Sequence, residues 1–328
     1  MNSRINVAIL GAGTIAPDFL LSSTFVDDVI PYCIFGQEAD LPVMEKLKQE
    51  YSLEKIYTNY DELLNDDHVD VVYVALPNSL HYGFAKKAME KGKHVIVEKP
   101  FCSSEKEAEE LFEIAEENNR FLFEAIPNIH FPNYKEIRNM IDKIGDIKIV
   151  ELNVSKYSRR YDDFKTGVIL PAFDPKKGGG SLMDMGVYNI HFLVGLFGKP
   201  DKVEYYPNIE RNIDTSGILF LKYPSFCVSA IAAKDCSAPS CINIQGDKGY
   251  IHSDSTTHLL QGFEIKTNEG ERQHFDLNER VLHERLAYEI KEFADIIRNT
   301  QTAEYMKLKK QTLNVMNVID QAKERVYG

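Results

Sequence analysis

The chain has 328 residues, with 50 acidic against 38 basic side chains and a formal charge of −12. That balance argues against a sequence-independent grip on nucleic acid or an anionic membrane surface, because both need clustered Lys and Arg. With 44% hydrophobic and 27% charged residues it is too apolar for disorder, and long enough for two domains that each bury a core without disulfides or metals.

Strands and helices alternate in the first part. A compact β-branched strand at Ile5–Leu10 is followed by a helix over 14–22 and a second strand at Val29–Phe35. Leu41, Met44, Leu47 and Tyr51 share one stripe of a helix over Leu41–Tyr51. A short strand at Lys55–Tyr57 and a small helix at Tyr60–Leu64 come next. The run 69–75 (VDVVYVA) is nearly unbroken in apolar character, as expected of a central strand buried on both faces. A helix over 79–91 closed by Gly92, a strand over 94–97, a helix headed by Ser104 and Glu107 in capping-box spacing, and a strand over 121–123 complete the pattern. Such alternation implies right-handed crossovers and a doubly wound parallel sheet, the α/β Rossmann arrangement.

After about residue 145 strands follow one another without helices: 147–157, Lys202–Glu210, 217–223, 226–233, 241–245 and Phe263–Thr267, separated by turn signals such as Tyr223-Pro224-Ser225 and Gly246-Asp247-Lys248-Gly249. An α+β domain with a large, mostly antiparallel, open-faced sheet is expected. Helices are predicted over 284–298 and 307–327. The change of texture sets a dinucleotide-binding domain at 1–125 and a substrate-binding and oligomerisation domain at 126–328, whose last helices can pack back on the first.

The five cysteines (Cys33, Cys102, Cys227, Cys236, Cys241) are odd in number, contain no C-x-x-C pair and have no His at ligand spacing. They read as thiols in a reducing compartment, with no metal site. The N-terminus has no signal-peptide architecture and no apolar run is long enough to span a bilayer, so a cytoplasmic location is expected.

The first strand ends in Gly11-Ala12-Gly13-Thr14-Ile15-Ala16, a G-x-G-x-x-A pattern. The first Gly permits a tight turn, the second lets backbone approach a pyrophosphate, and Ala16 lets the helix pack close to the strand. The helix N-terminus supplies donors and a positive dipole. Strand before and helix after are the context this signal requires. Beyond the second strand, residues 36–40 (GQEAD) hold no Lys or Arg for a 2′-phosphate, and Glu38 lies 22 positions beyond Ala16, where an acid can bind the ribose hydroxyls. NAD is therefore preferred, with NADP as the alternative; Glu38 equally suits a solvated helix start.

Val95-Ile96-Val97-Glu98-Lys99-Pro100, with the G-x-G loop, Leu76-Pro77-Asn78-Ser79-Leu80-His81 and Gly178-Gly179-Gly180-Ser181-Leu182-Met183-Asp184-Met185-Gly186-Val187-Tyr188, resembles the Gfo/Idh/MocA oxidoreductase family over nearly the whole chain. Asp184 and Tyr188 look most like the branch with dimeric dihydrodiol dehydrogenase and xylose dehydrogenases; inositol dehydrogenases carry His where Tyr188 stands. The resemblance implies that Lys99 and Tyr188 share one proton-transfer network. A phenol, titrating near ~10, acts as a base at neutral pH only when a cation stabilises its phenolate. Asp184 then binds the substrate or orients the acid–base pair. Asn78 is placed for the nicotinamide ribose, with Leu76 and Pro77 beside it. His81 matches a recurrent family position, or is a partly exposed helix residue. Glu98 fixes the Lys99 backbone or the ribose, Lys99-Pro100 is a candidate cis bond, and Glu124 is a candidate for the cofactor or active-site floor.

Pro127-Asn128-Ile129-His130 departs from the Tyr-Arg of sugar-oxidising relatives. His191 lines the pocket or packs in the core, and Arg159-Arg160 binds substrate or forms a solvated turn. The expected activity is hydride transfer between a nicotinamide cofactor and the hydroxyl or carbonyl carbon of a sugar, polyol or dihydrodiol. The alternatives are a non-catalytic nucleotide-binding regulator, or an enzyme that recycles bound NAD during epimerisation or elimination. A homodimer is expected through the open sheet face, since the 226–233 strand (FCVSAIAA) is apolar on both sides.

Overall fold

The computed structural model describes residues 4–327. In chain order the first elements are β1 (Ile5–Leu10), α1 (Ile15–Ser23), β2 (Val29–Phe35), α2 (Leu41–Tyr51), β3 (Lys55–Tyr57), α3 (Tyr60–Leu64), β4 (Val71–Val74), α4 (His81–Glu90), β5 (His94–Glu98), α5 (Glu105–Glu117) and β6 (Leu122–Ala125). There follow α6 (Pro132–Met140), β7 (Ile147–Ser155), α7 (Arg159–Thr166), α8 (Val187–Phe197), β8 (Lys202–Glu210), β9 (Ile213–Lys222), β10 (Cys227–Ala233), β11 (Cys241–Gly246), β12 (Gly249–Ser253), β13 (Phe263–Thr267), β14 (Gln273–Phe275), α9 (Ala287–Asn299) and α10 (Thr302–Tyr327). The chain forms two compact units, one ending at Pro127 but regaining Leu282–Thr312, the other taking Asn128–Val281 and the residues from Leu313.

The first unit is built on six parallel strands in the order β3-β2-β1-β4-β5-β6. All four residues of β4 are buried, which is why its sequence is a continuous apolar run. The direction of winding changes between β1 and β4, so the crevice beyond the carboxyl ends of those two strands is the ligand position in such a sheet. Phe19 of α1 stacks on Tyr73 of β4 at 4.0 Å between centroids. Ser104 caps α5, its hydroxyl accepting the Glu107 amide at 3.2 Å. The returning segment covers β6: Phe293 of α9 stacks on Phe123 at 4.5 Å, and Tyr305 meets Phe121 edge-on at 5.0 Å.

The second unit carries eight strands in the order β14-β13-β12-β11-β7-β10-β9-β8, every pairing antiparallel except β7 with β10. Val150, Leu152 and Val154 on β7, and Val228, Ala230 and Ala232 on β10, point to the covered face. On β10 the opposite side shows Cys227, Ser229 and Ile231. The apolar part of the outer face therefore comes chiefly from neighbouring strands, with Ile149, Tyr206, Ile218 and Phe220 exposed, and not from β10 as its composition suggests. Two strands, β12 and β14, and the helices α6, α7 and α8 extend beyond what periodicity predicts, so the second part is not strands alone. A separate small core of Phe164, Phe173 and Ile213 packs α7 and the following loop against β9. No helix among the described residues is long and apolar enough to cross a membrane.

Candidate active site

In the first unit β1 runs into a turn whose shape requires glycine. Gly11 has φ +104°, and a Cβ there would lie 2.6 Å from the Ala75 carbonyl oxygen. Its amide donates to the Phe35 carbonyl at 2.8 Å, tying the turn to the end of β2. At Gly13, by contrast, a Cβ would meet nothing within 4 Å. Gly13 and Thr14 are exposed, Ala12 and Ile15 partly so, and Ala16 is fully buried under the helix it opens. One glycine closes the turn inward, and the other leaves the backbone open to a ligand at the head of α1. Glu38 is exposed in a single helical turn after β2, where the Gln37 amide donates to Asp40 at 3.0 Å.

The loop after β4 places Leu76 and Asn78 at intermediate exposure and Pro77 outside. His81 is not the partly exposed helix residue that the sequence also allowed. It is 0% exposed, with Nε2 2.8 Å from the Leu76 carbonyl oxygen and Nδ1 3.0 Å from that of Pro100. The fully buried ring lies between the loop after β4 and the turn after β5. Burial pulls the imidazole pKa down, against the carbonyls of Leu76, Pro100 and Phe101 and the charge of Glu124. A neutral ring donates only one of these bonds, so completing both requires the protonated form that burial opposes.

Lys99 follows β5 directly, half-buried, and Lys99-Pro100 is cis. Glu98 before it turns inward, accepting a hydrogen bond from the Tyr73 hydroxyl. Its pKa is raised by burial, partly offset by Tyr73 and by the charges of Lys99 and Arg285. Glu124 is 5% exposed. Glu289 of α9, which no sequence motif marks, is 1% exposed and accepts the Ile126 amide. Burial, with the charges of Glu98 and Glu124, holds its pKa well above the usual carboxylate range, although Arg285 draws it down. Glu98, Glu124 and Glu289 are thus three buried carboxyls, the first two within electrostatic reach of Glu289.

In the second unit the glycine-rich segment leads into a π-helical turn, Leu182–Gly186, which runs into α8. Such turns recur at functional sites because the extra residue re-aims its neighbours. Gly180 has φ +112°, and a Cβ there would lie 2.1 Å from Asp214 Oδ1. Asp214 of β9, 3% exposed, accepts the Leu182 amide and the Tyr205 hydroxyl, both at 2.7 Å. The turn carrying Asp184 is thereby fixed to the sheet. Tyr188, 7% exposed, lies one turn on; its ring centroid is 5.5 Å from that of His258 and its carbonyl accepts the Asn128 amide group at 3.0 Å.

Asp184 meets Lys234 Nζ at 2.8 Å. This lysine, just past β10, also escaped sequence reading, although a cation directly after an eight-residue apolar run is a recognisable signal. His191 is 0% exposed and belongs to the core of α8, while Arg159 and Arg160 are exposed at the head of α7. Among the described residues no cluster of His, Cys, Asp and Glu can hold a metal ion.

Comparison with known proteins covers both units. Residues 5–126 match the model of an oxidoreductase family with an NAD-binding Rossmann fold, and residues 134–252 that of the GFO/IDH/MocA C-terminal domain. The NADP(+)-dependent scyllo-inositol 2-dehydrogenase IolU of Bacillus subtilis is 30% identical over 98% of this chain and 97% of its own. Trans-1,2-dihydrobenzene-1,2-diol dehydrogenase of Xenopus tropicalis is 28% identical over 79% of each chain. Among solved structures, the 3-ketoreductase KijD10 of Actinomadura kijaniata, with NADP and TDP-benzene, superimposes at TM-score 0.84 with 21% identity over 98% of both chains. Levoglucosan dehydrogenase, with NADH and levoglucosan, gives TM-score 0.84 at 16% identity over 98% of this chain and 97% of that one.

Proposed function

Because the chain belongs to the Gfo/Idh/MocA oxidoreductase family, we propose that it moves a hydride between a nicotinamide dinucleotide and a carbon bearing a hydroxyl or carbonyl group in a sugar, polyol or dihydrodiol. The observation that carries this reading is the Gly11–Ala16 turn, closed at Gly11 and open at Gly13 above the first turn of α1. That cradle suits a pyrophosphate, which the amides of Ala12 to Ile15 and the helix dipole attract. The first unit holds the cofactor, with Leu76, Pro77 and Asn78 toward the nicotinamide ribose, and the second unit holds the substrate. His81, Glu98 and Glu124 support these loops from below.

The nicotinamide supplies the hydride acceptor or donor when bound. The remaining work is proton transfer, which we assign to Lys99, Asp184 and Tyr188. Tyr188 takes the hydroxyl proton as the alcohol is oxidised, and returns it to the oxygen on reduction. The Lys99 ammonium favours the phenolate and holds the substrate oxygen, while Asp184 accepts a substrate hydroxyl. NAD is the favoured cofactor, since residues 36–40 offer no cation to a 2′-phosphate and Glu38 is exposed to repel one. The outer sheet face, with Tyr206 59%, Ile149 50% and Phe220 44% exposed, suits pairing with a second copy. Cytoplasmic residence agrees with the exposed free thiols of Cys227 and Cys236.

The test is a panel of aldoses, polyols and dihydrodiols, scyllo-inositol included, with NAD and NADP reduction followed optically. Turnover of a hydroxylated substrate is expected; binding of either cofactor without turnover across the panel would favour a regulatory role. Calorimetric titration showing tighter NADPH than NADH would reverse the cofactor preference, and light scattering showing a stable monomer would dispose of the dimer.

A further inference from the structure

We propose, given the role assigned to Asp184 above, that Lys234 is a positioning residue: a buried cation that keeps the Asp184 carboxylate ionised and aimed. Its side chain is 4% exposed against 34% for Asp184. Its Nζ lies 2.8 Å from Asp184 Oδ2 and donates to the Ala172 carbonyl at 2.7 Å, with the Phe173 ring centroid 4.3 Å away. The cation thus reaches the carboxylate from inside the fold, and the carboxylate is the member that solutes can approach.

The base of this lysine is held firmly. Its amide donates to the Thr215 carbonyl at 2.9 Å and its carbonyl accepts the Ser158 amide at 2.8 Å. The next residue, Asp235, accepts the hydroxyls of Thr215 at 2.7 Å and Ser216 at 2.8 Å. The stem therefore leaves a fixed point, and the ammonium joins three segments: the end of β10, the loop at Ala172 and the π turn.

A tie to the Ala172 carbonyl alone needs only a neutral donor. Burying an ammonium is costly unless an anion compensates it; the Phe173 face offsets part of that cost, and Asp184 supplies a carboxylate at 2.8 Å. The reciprocal effect acts on Asp184: a carboxylate beside a fixed cation protonates only at lower pH. It then remains a pure acceptor for a substrate hydroxyl across the neutral and mildly acid range.

The experiment is carbon-13 carboxyl NMR of the full-length protein labelled at aspartate, with the Asp184 resonance identified by its loss in Asp184→Asn. In Lys234→Met and Lys234→Gln the Asp184 titration midpoint should rise by about 1–3 pH units, the usual effect of losing an adjacent opposite charge. Lys234→Arg should keep it near the wild-type value. Lys234→Gln retains a donor toward Ala172, so circular dichroism of that variant guards against mere unfolding. On scyllo-inositol, or whichever substrate the panel identifies, the acid limb of kcat/KM should move up with the midpoint. Unshifted midpoints in folded Lys234→Gln would overturn the assignment, as would a shifted midpoint with an unchanged pH profile. Full turnover by Asp184→Asn would instead remove Asp184 from the reaction, whatever the titration showed.

Discussion

Asp214 binds the Leu182 amide and the Tyr205 hydroxyl on the same oxygen, Oδ2, at 2.7 Å each, and so pins the head of the turn that carries Asp184. Both donors sit in buried surroundings, where an unmet donor costs about 1–3 kcal/mol. Asp214→Ala is expected to lower the unfolding free energy by about 2–4 kcal/mol and to reduce turnover beyond the loss of folded protein. Urea melts beside activity per folded molecule check this. A variant of wild-type stability would show that the pin is dispensable.

His81 holds two loop carbonyls from below, those of Leu76 and Pro100. A neutral ring donates to one of them, whereas leucine fills space and donates to neither, so the tie between the loops should weaken. His81→Leu is expected to weaken NADH binding by roughly 10-fold, the equivalent of about one net hydrogen bond. His81→Gln, with a donor restored, should recover part of it. Calorimetric titration with NADH reads the effect, and unchanged affinity in the leucine variant would show that this tie does not shape the cofactor site.

Tyr188→Phe and Lys99→Met test the proton-transfer assignment. On that assignment phenylalanine takes away the base, and methionine takes away the cation proposed to favour its phenolate. Both variants should still bind NADH near wild-type affinity yet lose turnover by about 10²–10⁴-fold. His191→Ala, at a fully buried position, should act through stability. Retained turnover in Tyr188→Phe would move the base elsewhere.

Glu289 provides a stability test with a defined sign. Its carboxyl is buried and its pKa raised, so the folded chain holds this proton more tightly than the unfolded chain does. Its contribution is favourable at low pH and is lost as pH rises from the unfolded value near ~4.3 toward the raised folded one. Between pH 5 and pH 9, wild-type protein should therefore lose more stability than Glu289→Gln, which carries no titrating group there. Urea midpoints at both pH values decide it; an equal change in the two proteins would mean that Glu289 ionises freely.

Local chemistry was legible wherever one short segment contains its own reason. The Gly11 turn, the β4 run and the Ser104 cap each follow from backbone geometry or burial over a few residues, and the motifs around Lys99 and Tyr188 could be quoted directly. Less was legible in the second unit. Strand β12 starts on the glycine that closes the Gly246–Gly249 turn signal and ends in polar residues, β14 is the mostly polar run QHF, and α7 is a polar helix whose small core includes Phe173 and Ile213 from beyond its ends.

The sequence by itself determined the two textures and the dinucleotide turn and supplied the candidates for proton transfer, because steric and periodic rules act between near neighbours in the chain. Tertiary structure alone decided which polar groups turn inward and what they meet. His81 turned under its loop because carbonyls from two different connections converge on it. Glu289 joined Glu98 and Glu124 because residues 282–312 return to the first unit. Lys234 found Asp184 because β10 ends beside the π turn. Periodicity records that a side chain is buried, but the charge or donor it meets there belongs to a residue remote in the chain.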